Sequence, residues 1–190
     1  MALKTRVKVG NITNLSDARY CAGMGVDMLG YTVVPDREGF IPARLYQEIR
    51  GWISGPSAVA ELYGMTGSTD LEAVMEEYRP DYLEIPASAL PLVGHSLVPP
   101  LIVAVESVDD LKALDQCKAP IAFVQVNDDT LIPSLPSQLE VLLFLKPGTP
   151  IETISYAPPS HGIALTGSDE IRPGYKDYDE LARVLEGLEC

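Results

Sequence analysis

The sequence predicts an α/β fold, a (β/α)8 TIM barrel, because eight short apolar runs alternate with amphipathic segments almost to the end of the chain. Several runs are apolar on both faces, as in Leu101–Val105 (LIVAV) and Val141–Leu145 (VLLFL), which is typical of buried parallel strands. The 190 residues are 46% hydrophobic and contain no long Pro/Gly/Ser linker. We therefore expect residues 1–190 to form a single barrel domain, with an open doubly wound sheet as the competing architecture.

The predicted strands are separated by segments that carry helix signals. The strands are Val7–Val9, Met28–Val34, Ala58–Tyr63, Tyr82–Ile85, Leu101–Val105, Ile121–Val126, Val141–Leu145 and Ile163–Leu165. Asn14 is expected to cap the first helix by accepting a bond from the backbone near Asp17, and Thr69 with Glu72 fits a capping box. The last helix has an apolar stripe formed by Leu181, Val184, Leu185 and Leu188.

The barrel is predicted to be trimmed. A barrel of this kind typically takes about 250 residues, so a chain of 190 must have some connecting helices short or missing. Proline interrupts the segments 88–100 (SALPLVGHSLVPP) and 127–138 (NDDTLIPSLPSQ). We expect the shortened connections there.

The charge of the chain limits its partners. Fourteen basic and 27 acidic residues give a formal net charge of -13, which is the wrong sign for binding nucleic acid or an anionic membrane surface. We expect neither as a partner. An anionic ligand would have to be held by a local cluster of hydrogen-bond donors.

Cysteine and histidine usage indicates no metal or disulfide framework. Cys21, Cys117 and Cys190 are odd in number and lack CxxC or CxxH spacing, and His95 and His161 have no ligand pattern around them. No apolar stretch approaches the length of about 18 residues that a membrane span requires. The expectation is a cytoplasmic protein with free thiols and no cofactor, whose oligomeric state the sequence leaves open.

Three polar residues interrupt apolar strands. Glu61, Glu84 and Gln125 fall in runs that a barrel would cover on both faces, and Lys8 is their natural partner. Because an unpaired buried carboxylate is costly, an interior Lys8–Glu pair is one interpretation. A proton-transfer site is the other, with Glu84 as the candidate catalytic residue.

Both ends of the chain resemble one enzyme family. Residues 7–35 (VKVGNITNLSDARYCAGMGVDMLGYTVVP) and 162–185 (GIALTGSDEIRPGYKDYDELARVL) resemble the first and last segments of phosphoribosylanthranilate isomerase, a barrel enzyme of tryptophan biosynthesis. The match includes the final strand, the phosphate loop after it and a Pro-Gly-x-Lys-Asp lead into the last helix. The middle of the chain matches mainly in strand order. The resemblance implies the TIM barrel and an Amadori-type isomerase lineage.

The catalytic positions of that family are changed. Its general-base cysteine corresponds to Gly10, and its anthranilate-binding arginine corresponds to Gly39, with Arg37 two residues away as a substitute. Its general-acid aspartate follows the sixth strand, where Asp128 fits only after a register shift. Each proton-transfer group supplies roughly 10²- to 10⁴-fold in rate. The resemblance therefore implies loss of most or all isomerase activity.

The resemblance implies that the phosphate-binding part of the site is retained. Backbone N–H groups after strands seven and eight bind phosphate in such barrels without needing net positive charge. The corresponding residues are Thr166, Gly167 and Ser168, to which Lys146 or Arg172 would add positive charge. A phosphorylated small molecule is the predicted ligand, and the alternative is an ordinary polar loop.

Three functional hypotheses follow. The first is a phosphoribosylanthranilate isomerase-like barrel that binds a phosphorylated sugar metabolite and has lost isomerase activity. The second is an active isomerase that uses Asp128 or Glu84, and the third is a non-catalytic structural or assembly protein. All three place the same set near the C-terminal mouth of the barrel: Gly10, Pro35, Glu84, Val105, Asn127, Lys146 and Thr166.

Overall fold

Eight parallel strands close into a barrel in the computed structural model, which describes residues 2–67, 69–93, 98–149, 161–167, 170–172, 175–176 and 178–190. The strands are β1 Val7–Gly10, β2 Met28–Thr32, β3 Ser57–Glu61, β4 Tyr82–Pro86, β5 Leu101–Val105, β6 Ile121–Val126, β7 Glu140–Phe144 and β8 His161–Thr166. Strand β1 pairs with both β2 and β8, so the sheet has no open edge. The predicted (β/α)8 fold class is confirmed, and the open sheet is excluded.

Helices cover the outside of the barrel. They are α1 Leu15–Gly23, α2 Ala43–Arg50, α3 Leu71–Tyr78, α4 Leu90–Val93, α5 Leu111–Gln116 and α6 Asp179–Gly187. A two-stranded antiparallel sheet, β9 Glu170–Arg172 and β10 Tyr175–Lys176, lies between β8 and α6 in the chain. Among the described residues, no helix has the length and apolar character needed to cross a bilayer.

The barrel is trimmed where the proline-rich segments predicted it. The connection after β4 contains a 3-10 turn at Ala87–Ala89 and the four-residue α4, and β6 is followed by a 3-10 segment at Asp129–Ser134. Pro133 lies inside that segment and lacks the N–H that a regular helix would need. Short connections at these two places account for part of the missing length.

The predicted N-terminal cap of α1 is confirmed, and the predicted cap of α3 is wrong. Asn14 accepts a hydrogen bond from the Asp17 N–H at 2.9 Å, as predicted for α1. The capping residue of α3 is Asp70, which accepts from the Ala73 N–H at 3.0 Å. Thr69 instead accepts from the backbone N–H of Thr66. The helix starts one residue later than predicted because the Asp70 carboxylate takes the capping role.

Apolar side chains fill the lower part of the barrel interior. Successive residues of a barrel strand point alternately inward and outward. The interior apolar cluster consists of Met28, Val59, Ile102, Phe123, Leu142 and Ala164. The next inward-pointing positions, two residues closer to the C-terminal ends of the strands, include the polar residues Glu61, Glu84 and Gln125. These polar side chains define the candidate site.

Candidate functional site

The C-terminal ends of the strands enclose a cavity of about 280 Å³, here called the mouth cavity. Its charged and hydrogen-bonding lining includes Lys8, Glu61, Tyr63, Glu84, Glu106 and Gln125. Of the residues predicted at the mouth, the lining contains Gly10, Glu84, Asn127 and Thr166. Lys146 lines a neighbouring cavity, Pro35 lines a groove outside the barrel, and Val105 packs in the core between strands and helices.

An ion cluster lies at the base of the mouth cavity. Lys8 is 3% exposed and forms ion pairs with Glu61 and Glu84, the first at 2.8 Å between Nζ and Oε1. The Tyr63 hydroxyl donates to Glu84 Oε1 at 2.5 Å, and Gln125 Nε2 donates to the Tyr63 oxygen at 3.2 Å. The predicted interior Lys8–Glu pair is therefore present, and it contains two carboxylates around one ammonium group.

Burial and pairing set the protonation states of this cluster. Burial alone would lower the pKa of Lys8, but the carboxylates of Glu61 and Glu84 outweigh it and the pKa is raised. Burial raises the pKa of Glu84, with Lys8 acting in the opposite direction. Burial, followed by the charge of Glu84, also raises the pKa of Tyr63. Lys8 is thus a permanent cation rather than a nucleophile, and Tyr63 stays a neutral phenol.

Two glycines make room for the Glu61 carboxylate. A Cβ atom at Gly10 would overlap Glu61 Oε1 and lie 3.3 Å from Lys8 Nζ. A Cβ atom at Gly30 would overlap the same oxygen and lie 2.7 Å from Glu61 Cδ. The second carboxylate oxygen of Glu61 accepts from the Asn11 N–H at 3.2 Å. A carboxylate therefore occupies the space beside β1 into which a side chain at Gly10 would project.

The position that corresponds to the family's arginine is also filled by a neighbour. Gly39 has φ +76°, and a Cβ atom there would overlap Asn11 Oδ1 and lie 3.1 Å from Asn11 Cγ. Asn11 itself has φ 54°. Asparagine and glycine tolerate this left-handed conformation better than other residues. A long side chain at Gly39 would have to displace Asn11.

Arg37 does not replace that arginine at the mouth. Its guanidinium packs on Gly64 and donates to the Gly64 carbonyl at 3.4 Å. It lines a groove of about 720 Å³ between the segment after β2 and helix α3, together with Pro35 and Phe40. Arg37 is absent from the lining of the mouth cavity. The structure does not bring it together with Lys8.

Asp128 is used as a cap. Its carboxylate accepts from the Thr130 N–H at 2.9 Å at the start of the 3-10 segment after β6. Hydrogen bonds from Thr130 lower the pKa of this exposed carboxyl. Gln125 and Asn127 line the mouth cavity, whereas Asp128 is absent from its lining. Of the two predicted catalytic residues, Glu84 lies in the cavity and Asp128 does not.

A second cavity of about 370 Å³, here called the α6 cavity, lies where β7 and β8 end beside helix α6. Lys146, Thr166 and Gly167 line it as predicted, and so do the acidic residues Asp179 and Glu180. Leu165 and Thr166 line both cavities, so the two are adjacent. The predicted Ser168 lies outside the described residues.

The backbone donors expected to bind phosphate already have partners. The Gly167 N–H donates to the Gly10 carbonyl at 2.8 Å. After β7, the Gly148 N–H donates to the carboxylate of Glu180. The Gly167 N–H therefore joins the end of β8 to the end of β1, and phosphate binding at the backbone of Gly167 and Ser168 stays a prediction. The described side-chain donors that line this cavity are the Lys146 ammonium and the hydroxyls of Thr149 and Thr166, and the Thr149 hydroxyl already donates to the Lys146 carbonyl at 2.7 Å.

Valine at Gly167 is expected to destabilise the protein by about 1–3 kcal/mol, because a Cβ atom would lie 3.0 Å from the Gly10 oxygen and 3.1 Å from the Asn11 oxygen. The free energy of unfolding in urea measures this effect. Gly67→Val is the control, since a Cβ atom at Gly67 meets nothing within 4 Å. Equal stability of the two variants would contradict the close packing of β8 on the loop after β1.

Some site residues were not predicted. Tyr63 lies two residues after Glu61, and this spacing, which repeats every second residue along a strand, is a signal that could have placed both in the mouth. The contact between Gly148 and Glu180 has no such signal. It joins residues 32 positions apart, and neither belongs to a recognisable local motif.

Comparisons with known proteins identify related folds. No family model matches the sequence, and no curated protein does. Phosphoribosyl anthranilate isomerase from Thermus thermophilus is 19% identical, with a TM-score of 0.73, covering 96% of this chain and 97% of that one. A phosphoribosyl anthranilate isomerase in complex with reduced 1-(o-carboxyphenylamino)-1-deoxyribulose 5-phosphate is 20% identical, with a TM-score of 0.70 and coverages of 96% and 97%. 3-Hexulose-6-phosphate synthase from Salmonella typhimurium is 15% identical, with a TM-score of 0.62 and 98% coverage of both chains.

The chain thus shares the fold of phosphoribosylanthranilate isomerases over nearly its whole length. At these identities the likeness establishes the fold alone. The resemblance predicted from the two ends of the sequence is confirmed at that level, including the middle of the chain, where the sequence match was weakest.

Proposed function

We propose that this chain is a phosphoribosylanthranilate isomerase-like barrel that binds a small phosphorylated sugar metabolite and does not catalyse the Amadori rearrangement. The observation that carries the proposal is the Glu61 carboxylate held in the space beside Gly10. The rearrangement needs a base that removes a proton from carbon and an acid that protonates the sugar or its nitrogen. Gly10 offers no base, and Glu61 is already paired with Lys8 and the Asn11 N–H.

The second hypothesis, an active isomerase with substitute residues, has less support. Both oxygens of Glu84 are engaged, one by the Tyr63 hydroxyl and the other by Lys8. Asp128 caps the segment after β6, outside the mouth cavity. Gly39 provides no charge for a substrate carboxylate. These placements favour ligand binding over proton transfer.

A phosphorylated ligand is supported by the two adjacent cavities. Thr166 lines both, and we infer that a bound molecule extends from the mouth cavity into the α6 cavity. One solved neighbour is complexed with a ribulose 5-phosphate derivative, and we infer the same ligand class here. Because the Gly148 and Gly167 N–H groups are used, Lys146 and Thr166 would hold the phosphate, and Glu180 would have to withdraw from it. Because the net charge is -13, the proposed partners include neither nucleic acid nor anionic membranes. The proposed location is the cytoplasm.

Ribose 5-phosphate is expected to bind at millimolar concentration or below in isothermal titration calorimetry. Since Lys146 is exposed, its contribution should fall as salt increases. Lys146→Ala is expected to weaken binding roughly five- to tenfold, about the effect of removing one ordinary hydrogen bond of about 1 kcal/mol, because the lysine is exposed. Lys112→Ala, which removes an exposed lysine paired with Asp109, is the control. Absence of heat at millimolar ligand would favour the structural or assembly hypothesis instead.

A further inference from the structure

Gln125, which lines the mouth cavity, has a buried amide oxygen without a hydrogen-bond partner among the described residues. The residue is 6% exposed, and Oε1 is buried without a hydrogen bond among the described groups. The orientation of the amide is fixed by its neighbours. The single hydroxyl proton of Tyr63 is donated to Glu84, so the Tyr63 oxygen accepts and Gln125 must present its NH2 group to it. Oε1 is therefore the atom left over.

An unpaired buried acceptor is unusual in a folded protein and calls for an explanation. Among the described residues, four of the five buried polar or charged side chains line this cavity, and three of them, Lys8, Glu61 and Glu84, are joined by ion pairs. Glu84 Oε2 also lacks a hydrogen bond but forms an ion pair with Lys8, whereas Gln125 Oε1 has neither a hydrogen bond nor an ion pair among the described residues. A ligand with an N–H or O–H group in the mouth cavity would fill that position.

The charges that line the mouth cavity favour a positively charged N–H donor over a neutral O–H donor. Among the described lining residues, Lys8 is the one cation, and the acids are Glu61, Glu84 and the exposed Glu106. With Glu84 ionised, as the hydrogen bond donated by Tyr63 and the ion pair with Lys8 indicate, three carboxylates face one ammonium group and the lining carries an excess negative charge. Such a lining disfavours an anion and favours a cation over a neutral group.

We propose that the mouth cavity selects a sugar phosphate that carries a protonated amine, with the amine donating to Gln125 Oε1 under the negative potential of Glu106 and the ion cluster. The proposal rests on the proposed function and specifies its ligand. The amine lies in the mouth cavity and the phosphate lies in the α6 cavity beside Lys146. An aryl carboxylate such as anthranilate would instead bring a negative charge towards Glu106 and Asn11.

A matched pair of probes tests this selection. Glucosamine 6-phosphate and glucose 6-phosphate differ at one position, where the first has an ammonium group and the second a hydroxyl. Calorimetry with the wild-type protein, at a pH where the amine is protonated, is expected to give binding of the amino sugar at least about tenfold tighter. Gln125→Met, which keeps the size of the side chain and removes the acceptor, is expected to reduce the preference to about threefold.

A second variant, at the exposed lining residue Glu106, tests the selection even if Gln125→Met does not fold. Glu106→Gln changes an exposed side chain and is expected to weaken amino-sugar binding two- to threefold while leaving glucose 6-phosphate unchanged. Asp115→Asn removes the same charge from an exposed position of α5 outside the cavity and should change neither affinity.

The outcomes separate the two proposals. Glucose 6-phosphate binding as tightly as the amino sugar would overturn the amine selection and leave the phosphorylated-sugar proposal standing. Failure of both sugars to bind would overturn both. A tenfold preference that survives unchanged in Gln125→Met and Glu106→Gln would contradict the assignment of these two residues.

Discussion

Gly10→Cys is expected to destabilise the protein by about 3 kcal/mol or more and to restore no isomerase activity. The new Cβ atom would overlap Glu61 Oε1 and approach Lys8 Nζ to 3.3 Å. Overpacking costs typically about 1–3 kcal/mol, and breaking a buried ion pair by displacing one partner costs about 3–5 kcal/mol. Lys8 keeps its ion pair with Glu84, so the expected loss of stability is about 3 kcal/mol or somewhat more, not the sum of both maximal costs.

The free energy of unfolding in urea measures the Gly10→Cys effect. Gly23→Cys is the control for adding the same side chain, because a Cβ atom at Gly23 meets nothing within 4 Å. A double-mutant cycle with Glu61→Ala tests the mechanism, since removing the carboxylate should lessen the cost of the cysteine. Stability equal to that of Gly23→Cys would show that Glu61 does not fill this space.

Lys8→Met is expected to have the largest effect of any single substitution in the site, about 3–5 kcal/mol at neutral pH. It leaves Glu61 and Glu84 buried together without their cation. Replacing both carboxylates as well, in Lys8→Met with Glu61→Gln and Glu84→Gln, should recover much of the loss because no unpaired charge is left. Lys112→Met, in an exposed pair with Asp109, should change stability by less than about 0.5 kcal/mol.

The Lys8→Met effect should depend on pH in a defined direction. In the native protein, burial raises the pKa of Glu84. The contribution of this group to the free energy of unfolding is therefore fully present at pH values below the ordinary carboxyl pKa and is lost as pH rises through the folded-state pKa. Lys8 opposes that rise in pKa, and removing Lys8 enlarges it. The stability deficit of Lys8→Met should therefore shrink as pH falls towards about 4–5 and grow above that range. A deficit that does not change with pH would contradict a charged cluster.

The raised pKa of Lys8 adds a second pH effect, in the native protein alone. A cation whose folded-state pKa is raised stabilises the fold below its ordinary pKa, and this stabilisation is lost as pH rises through the folded value. The native protein should accordingly lose this contribution only in strongly alkaline solution.

The sequence predicted the barrel because strand and helix periodicities are local properties. Eight apolar runs were sufficient to identify the strands, and the strand limits differ by only a few residues; β2, for example, ends at Thr32 rather than Val34. The interior Lys8–Glu pair was also predictable, since charged residues in strands covered on both faces require partners.

The details of the site depend on geometry that one strand does not reveal. Glu61 reaches the space beside Gly10 because β1, β2 and β3 are neighbours and Gly30 of β2 has no side chain to stop it. Asp128 was a candidate catalytic residue only with a register shift, and its carboxylate instead caps the segment after β6. Arg37 was separated from the mouth by the path of the loop after β2.

Loss of phosphoribosylanthranilate fluorescence, followed with purified wild-type protein, tests most directly whether the Glu61 carboxylate has replaced the catalytic thiol. The barrel with Gly10, Gly39 and an externally directed Asp128 is predicted to give no loss above the rate in buffer. Turnover near that of an ordinary enzyme, on the order of 10 per second, would contradict the account.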